Sequence, residues 1–295
     1  MQLDYKVLFV DDEGFDGYMG ELRDAIDSHL QKIGFVLQGI EIINEEDLIS
    51  KISTDKLFDI IFVDNRFDDE ECGIEFIKKI RNAKIYADIV LCTAQSDNDL
   101  IKKINAETAH HGFYYIRKGQ NLFQHAYNVI DFRFNKELDT NVMRGIAMSE
   151  VAKFDNYILE IILKDDIHKS RIINNVKEKA KKRYNDTHSS EADEEIWKMV
   201  TNPETSTIYF ESTMRKEFLH AHVLKKIDML KECYTAIKDN YGIEILKKRN
   251  DLAHKIEPDL SIDEKKQLRK DIIKFRKIFE QIRKHFKLIP EGDSE

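Results

Sequence analysis

Apolar and polar positions follow different patterns in the two halves of this chain. In the first half, four apolar runs of about five residues lie at 6–10, 59–63, 88–92 and 112–116, with a further strand-like segment at 36–43. Helical patterns alternate with them, at about 15–33, 45–53, 74–83, 97–106 and 121–138. Short apolar runs between helical patterns are typical of buried parallel strands. The alternation predicts an α/β doubly wound sheet of five parallel strands over residues 1–138.

Polar residues that could bind ligands or take part in catalysis follow the ends of four of these strands. They are Asp11, Asp12, Asp64, Thr93 and Lys118. Ligands of parallel sheets bind beyond the carboxyl ends of the strands, so we expect these side chains to share one pocket. Clustered carboxylates repel one another unless a cation lies among them, and Mg²⁺ prefers oxygen ligands. A carboxylate in such a pocket can accept a phosphoryl group, which a lysine and a threonine can then hold.

This set of residues resembles the receiver domain of two-component response regulators, a flavodoxin-like fold, over roughly the first 138 residues. The resemblance implies that Asp64 is the phosphoacceptor. It also implies that Asp11 and Asp12 bind Mg²⁺ together with Asp64 and the backbone carbonyl of Arg66. A cognate histidine kinase or a small phosphodonor would then be the partner of this domain.

The same resemblance implies a phosphate-responsive switch formed by Thr93, Tyr115 and Lys118. Two features depart from the family pattern. The loop 65–73 lacks the usual proline and is about one residue longer, and Lys118 is followed by Gly119 where the family usually has proline. The alternative is a receiver-like fold that is never phosphorylated.

The second half carries helical patterns only. Apolar residues recur at helical spacing in 146–163, 167–178, 216–238, 243–256 and 262–288. This pattern predicts an all-α helical bundle over residues 139–295 as a second domain, and the length of 295 residues also favours two domains.

Charge and cysteine content narrow the function classes. The net charge of −8 is uneven, because residues 1–138 carry 16 Lys+Arg against 26 Asp+Glu and residues 139–295 carry 31 against 29. The acidic first half argues against nucleic-acid binding there, while the second half permits RNA without indicating it. The sequence shows neither an apolar stretch of 18 residues nor a secretory leader, so no membrane contact is expected. Three unclustered cysteines favour a cytoplasmic protein with reduced thiols.

A second candidate site lies late in the helical half. Arg249, Asn250, Ala253 and His254 resemble the signature of HEPN domains (higher eukaryotes and prokaryotes nucleotide-binding), helical bundles that include many metal-independent ribonucleases. The resemblance implies that Arg249, Asn250 and His254 are catalytic, that RNA is the substrate, that no cofactor is needed, and that a homodimer builds one site from two motifs. An imidazole can move the proton of a 2′-hydroxyl, and a guanidinium can stabilise the phosphorane-like transition state.

Two hypotheses for the whole chain remain open. In the leading one, phosphorylation of Asp64 controls a HEPN-like endoribonuclease, and the family context suggests stress response or phage defence. In the other, the helical domain is a non-catalytic interaction or nucleotide-binding module that signals through a protein partner. The bare spacing of Arg249 and His254 also occurs at 183–188 and 215–220, so spacing alone is weak support. DNA is not expected as a ligand, since no helix-turn-helix with a basic recognition helix is found.

Overall fold

The computed structural model describes residues 3–67, 70–94, 112–119, 121–164, 168–183, 192–202, 205, 210–254 and 260–289. The chain divides into two units. The first comprises Met1–Asp139 with Lys265–Lys270, and the second comprises Thr140–Glu264 with Asp271–Glu295.

The first unit is built on a five-stranded parallel sheet. Its strands are β1 (Asp4–Val10), β2 (Val36–Ile42), β3 (Ile60–Asp64), β4 (Asp88–Thr93) and β5 (Phe113–Arg117). They are ordered β2-β1-β3-β4-β5, and every neighbouring pair is parallel. The predicted doubly wound sheet is therefore confirmed, and β1, β3 and β4 lie side by side at its centre.

Helices cover the sheet. They are α1 (Tyr18–Ile33), α2 (Glu45–Thr54), α3 (Gly73–Asn82) and α4 (Leu122–Glu137), preceded by a 3₁₀ turn at Gly14–Asp16. A two-residue hairpin pairs Arg66–Phe67 with Glu70–Glu71. The helix predicted at 97–106 lies outside the described residues.

Both faces of the sheet are buried, because successive side chains of each strand point to opposite sides. Val7 and Phe9 of β1 pack with residues of α1 and α4 on one face. Leu8 and Val10 pack with residues of α2 and α3 on the other face. This two-sided burial accounts for the continuous apolar runs of the central strands.

A segment from the far end of the chain completes the packing of the first unit. Gly34 ends α1 with a positive φ of 85°, and a Cβ at that position would lie 2.6 Å from Cβ of Arg269. Nε of Arg269 donates to the carbonyl of Gly34 at 3.1 Å, and the guanidinium lies 3.9 Å from the ring centroid of Phe35. Arg269 is fully buried, so the segment Lys265–Lys270 is an integral part of this unit.

The second unit is helical, and its described residues contain no strand, as the sequence predicts. Its helices are α5 (Thr140–Leu163), α6 (Lys169–Arg183), α7 (Asp193–Thr201), α8 (Ser212–Phe218), α9 (Lys231–Thr235), α10 (Lys248–His254) and α11 (Ile262–His285). Six residues of α11, Lys265–Lys270, belong to the first unit. None of the described helices is long and apolar enough to cross a membrane.

The core of the second unit combines aromatic rings with a buried ion pair. Phe154 stacks on Phe279 with centroids 5.0 Å apart, and Tyr241 meets Phe275 edge-on at the same separation. Nε and Nη2 of Arg276 donate to the two carboxylate oxygens of Glu150 at 2.6 and 2.8 Å. A bidentate pair of this kind fixes the register between α5 and the last part of α11.

The helix expected at 216–238 is not continuous, which corrects the sequence-based expectation. A π-helical turn at Leu219–Val223 is followed by 3₁₀ turns at Leu224–Lys226 and Asp228–Leu230, and Ile227 between them is extended, with φ −113° and ψ 98°. The β-branched side chain of Ile227 suits that conformation. The N–H groups of Ile227 and Leu230 still bond to preceding carbonyls, so the break leaves these backbone groups paired.

Candidate functional site

The carboxylate of Asp64 lies at the carboxyl end of β3, flanked by β1 and β4. The residue is 5% exposed. Its Oδ2 accepts a hydrogen bond from Nζ of Lys118 at 2.6 Å, and its Oδ1 accepts one from the backbone N–H of Arg66 at 3.3 Å. The structure therefore brings Asp64 and Lys118 together from strand ends that are 54 residues apart.

Asp11 supplies a second carboxylate at the end of β1. Its Oδ1 accepts a hydrogen bond from the N–H of Glu13 at 2.9 Å, whereas its buried Oδ2 has no partner among the described residues. Burial raises the pKa of Asp11 to about 6, and the negative charges of Asp64 and Asp12 add to the rise although Glu13 and Lys118 oppose it. An unpartnered buried carboxylate oxygen calls for a proton or a cation.

Lys118 is held from two sides. Its backbone N–H donates to the carbonyl of Thr93 at 2.7 Å, which ties the ends of β4 and β5 together. Its Nζ lies 3.8 Å from the ring centroid of Tyr18, at the start of α1. Sequence reasoning missed Tyr18, although an aromatic residue shortly after an acidic pair at a strand end was a usable signal.

The remaining predicted residues of this site lie around the same sheet edge. Thr93 is buried at the end of β4, and Asp12 is half-buried after β1. Tyr115 is half-buried within β5 and packs against the core on the α2–α3 side. Arg66 is exposed and contacts the site through its backbone N–H, which donates to Asp64.

The loop after Asp64 is closed by a glycine. A Cβ on Gly73, at the start of α3, would lie 2.7 Å from both the carbonyl oxygen of Asp64 and Cα of Asn65. The N–H of Gly73 donates to the carbonyl of Asn65 at 3.2 Å. Glycine is required here because the helix starts against the strand end that carries the carboxylate.

The donor set suits a hard cation. No three His, Cys, Asp or Glu side chains cluster as metal ligands in the part of the chain that is described. Mg²⁺ is usually bound through one or two carboxylates and retains several waters. The unpartnered Oδ2 of Asp11 and the Oδ1 of Asp64 therefore fit Mg²⁺ in chemistry.

A second candidate site is a cleft of about 370 Å³ in the helical unit. Its lining residues come from α5, from the start of α8 and from α10: Met148, Val151, Ala152, Asp155, Asn156, Glu211, Ser212, Thr213, Arg249 and Asn250. The structure thus brings Arg249 and Asn250 to one cleft. His254, at the end of α10, is exposed and does not line it. A twelve-residue π-helix, Ala236–Lys247, runs directly into α10.

The cleft contains two functional candidates that the sequence did not single out, Asp155 and Ser212. The hydroxyl of Ser212 donates to Oδ2 of Asp155 at 2.5 Å, and Nη2 of Arg249 donates to Oγ of Ser212 at 3.3 Å. Burial raises the pKa of Asp155, although Ser212, Arg215 and Arg249 oppose the rise. A buried acid on an otherwise apolar helix face was the available sequence signal for Asp155.

Comparisons with known proteins leave the family open. No protein-family profile and no curated protein matches this chain. Among solved structures, chemotaxis protein CheY4 of Vibrio cholerae is similar at 19% identity, over 45% of this chain and 97% of its own, with a TM-score of 0.31. A fusion carrying residues 181–211 of the yeast Spc42 trimeric coiled coil is similar at 18% identity, over 45% of this chain and 82% of its own, with a TM-score of 0.34.

Proposed function

We propose that the first unit is a phosphoacceptor receiver in which Asp64 takes a phosphoryl group. The observation that carries this proposal is the 2.6 Å hydrogen bond from Lys118 to the carboxylate of Asp64, which is buried at the carboxyl end of the central strand of a parallel sheet. Asp11, with its unpartnered oxygen, lies at the end of the neighbouring strand. An acid, an amine and a second acid in this arrangement suit phosphoryl transfer.

In the proposed reaction, a carboxylate oxygen of Asp64 attacks the phosphorus of a phosphohistidine or a small acyl phosphate. The new bond joins the Asp64 oxygen to phosphorus, and the bond from phosphorus to the donor atom breaks, so the leaving group keeps its electron pair. Lys118 exchanges its bond to Asp64 for one to a phosphoryl oxygen, and the Thr93 hydroxyl donates to another. Asp11, Asp12, Asp64 and the carbonyl of Arg66 would hold Mg²⁺, which would supply positive charge to neutralise the incoming phosphate.

The test is incorporation of one phosphoryl group from acetyl phosphate with Mg²⁺, followed by intact mass spectrometry. Wild type and Asp24→Asn, an exposed acid on α1, are expected to gain the group, whereas Asp64→Asn is expected not to. The proposal fails if Asp64→Asn is modified as fully as wild type. It also fails if folded wild type is not modified by acetyl phosphate or by a phosphorylated histidine kinase.

For the second unit we propose a metal-independent ribonuclease activity under control of Asp64, with Arg249, Asn250 and His254 as its catalytic residues. The presence of Arg249 and Asn250 in one cleft with a buried carboxylate favours it. Because His254 lies outside that cleft, the proposal needs a homodimer in which His254 of a second copy meets the Arg249 side. Arg249 then stabilises charge on the phosphate, and His254 moves the proton of the 2′-hydroxyl.

Cleavage of RNA in EDTA by wild type and by His254→Ala tests this second proposal, with His285→Ala as the matched control. Loss of cleavage in His254→Ala alone supports the ribonuclease proposal. The change in the cleavage rate of wild type after addition of acetyl phosphate and Mg²⁺ shows whether phosphorylation activates or inhibits the ribonuclease. If folded, dimeric wild type does not cut RNA with or without phosphorylation, the helical unit is a binding module that acts through a partner.

A further inference from the structure

Ser212 links a carboxylate to a guanidinium inside the cleft of the helical unit. A serine hydroxyl has one proton to donate, and here Asp155 receives it. The same oxygen then accepts from Arg249, so its direction is fixed by both neighbours. This chain of two hydrogen bonds holds Asp155 and Arg249 at opposite ends of one small polar network.

Each end of that network retains an unused polar atom. Oδ1 of Asp155 and Nε of Arg249 are buried and lack a hydrogen-bond partner within the described residues. Asp155 is 6% exposed. Leaving such groups unpaired costs about 1–3 kcal/mol each, so a ligand that pairs with both would recover that free energy. The unused acceptor would take a hydroxyl proton, and the unused donor would meet an anionic oxygen.

The surroundings of the pair define the ligand further. Arg249 has one hydrogen bond in the described part of the chain, the bond to Ser212, so other N–H groups of its guanidinium can still donate to a phosphate, although Asp155 already attracts its charge. Arg215 is fully buried and donates from Nη1 to the backbone carbonyl of Asp155 at 3.1 Å, which anchors the acid. Met148 and Val151 add an apolar wall. A volume of about 370 Å³ suits one mononucleotide unit.

We propose that Asp155 is a specificity-determining residue that accepts the 2′-hydroxyl of a ribose whose 5′-phosphate, the phosphate at the cleaved bond, pairs with Arg249, while Ser212 positions both. This hydroxyl belongs to the nucleotide that leaves, so it is distinct from the 2′-hydroxyl whose proton His254 moves. The inference rests on the proposed RNA-directed function for its substrate class. It adds a basis for choosing ribose over deoxyribose, because the buried acceptor of Asp155 stays unpaired when the hydroxyl is missing.

Calorimetric titration of the full chain with uridine 5′-monophosphate, its 2′-deoxy analogue and inorganic phosphate tests the proposal. None of these probes can be cleaved by attack of a 2′-hydroxyl on a phosphodiester, so binding is read separately from nuclease activity. Wild type is expected to prefer the ribonucleotide by about tenfold or more, the effect of one hydrogen bond to a charged group. Asp155→Ala is expected to remove that preference, and Asp155→Asn to restore part of it.

Two further variants separate phosphate binding by Arg249 from the positioning role of Ser212. Arg249→Gln is expected to weaken all three probes and leave the ribose preference unchanged, whereas Ser212→Ala weakens both the affinity and the preference. Ser170→Ala and Asp239→Asn, exposed in the same unit, are the matched controls. Thermal unfolding of each variant shows that it is folded.

The outcomes distinguish this inference from the ribonuclease proposal. Equal binding of ribo and deoxy forms by wild type, or an unchanged preference in folded Asp155→Ala, overturns the role of Asp155 even if RNA is cut. Absence of binding by all three probes overturns it as well. A ribose preference that depends on Asp155, in a protein that does not cut RNA, supports the inference and contradicts the ribonuclease.

Discussion

The ammonium group of Lys118 lies over the ring of Tyr18, 3.8 Å from its centroid. This cation–π contact accompanies the bond from Lys118 to Asp64, so the lysine is held by an aromatic face and a carboxylate at once. The hydroxyl of Tyr18 is buried close to the carboxylate of Asp11, whose Oδ2 is its available acceptor. Burial raises the pKa of Tyr18 above its ordinary value, and the charges of Asp64 and Asp11 contribute. The hydroxyl therefore stays neutral.

Tyr18→Phe is expected to lower the free energy of unfolding by about 1 kcal/mol, because it keeps the ring under Lys118 but removes the hydroxyl that can donate to the buried carboxylate of Asp11. Urea denaturation measures the change. Tyr86→Phe, at a position that is 81% exposed, is the control and is expected to change stability by less than about 0.5 kcal/mol. A gain of stability in Tyr18→Phe would show that the hydroxyl is not bonded in solution.

Asp11→Asn is expected to weaken Mg²⁺ binding by about tenfold or more, because it removes negative charge from the side chain whose Oδ2 is unpartnered. Isothermal titration with MgCl₂ measures this, and Asp24→Asn on α1 provides the control. Equal Mg²⁺ affinity in Asp11→Asn and wild type would remove Asp11 from the ligand set.

Glu150→Gln is expected to lower stability at pH 7 by about 3 kcal/mol, because it leaves the partly buried Arg276 without its bidentate partner. Burial would raise the pKa of Glu150, but the hydrogen bonds from Arg276 and Lys153 outweigh it and hold the pKa below its ordinary value. A carboxylate whose pKa is lower in the folded state than in the unfolded state stabilises the folded protein. This contribution is complete at pH values above the unfolded-state pKa, and it is lost as the pH falls through the folded-state pKa.

The difference between wild type and Glu150→Gln should therefore be largest near neutral pH and shrink below about pH 4. Urea denaturation at several pH values measures it. Glu244→Gln is the matched control, since its pair with Lys274 is more exposed and is expected to contribute less than about 1 kcal/mol. A difference in stability that does not change with pH would contradict a stabilising role for the ionised carboxylate of Glu150.

The first unit could be predicted well from sequence for a physical reason. Burial on both faces forces continuous apolar runs, and strand ends meet at one edge, so the pairing of Asp64 with Lys118 follows from chain order alone. Tyr18 was not identified from the sequence, because the pattern that predicts α1 does not show which of its side chains reaches Lys118.

The helical unit shows what apolar spacing in the sequence cannot predict. Apolar spacing predicts helices, but it does not reveal the extended Ile227, since an unbroken helix would present the same stripe. Nor does it pair Asp155 with Ser212, which are 57 residues apart. Arg249 and Asn250 were found only through a family resemblance, and the same motif includes His254, which lies outside the cleft.

Arg269→Met is expected to lower stability by about 2 kcal/mol, because it removes both the bond to the Gly34 carbonyl and the cation over Phe35. Lys270→Met, at the exposed neighbouring position, is the control. Gly34→Ala should also destabilise, since its φ is positive and its Cβ would collide with that of Arg269. Chemical denaturation measures all three, and an unchanged Arg269→Met would contradict the packing role.

The inclusion of Lys265–Lys270 in the first unit has a consequence for how this protein is made. A ribosome releases the sheet and its helices long before it releases Arg269, which is separated from Gly34 by 235 positions. Domains usually fold in the order of their synthesis. Here the earliest unit to emerge waits for α11 to bury Phe35, so its final packing follows the synthesis of the helices that lie between them in the sequence.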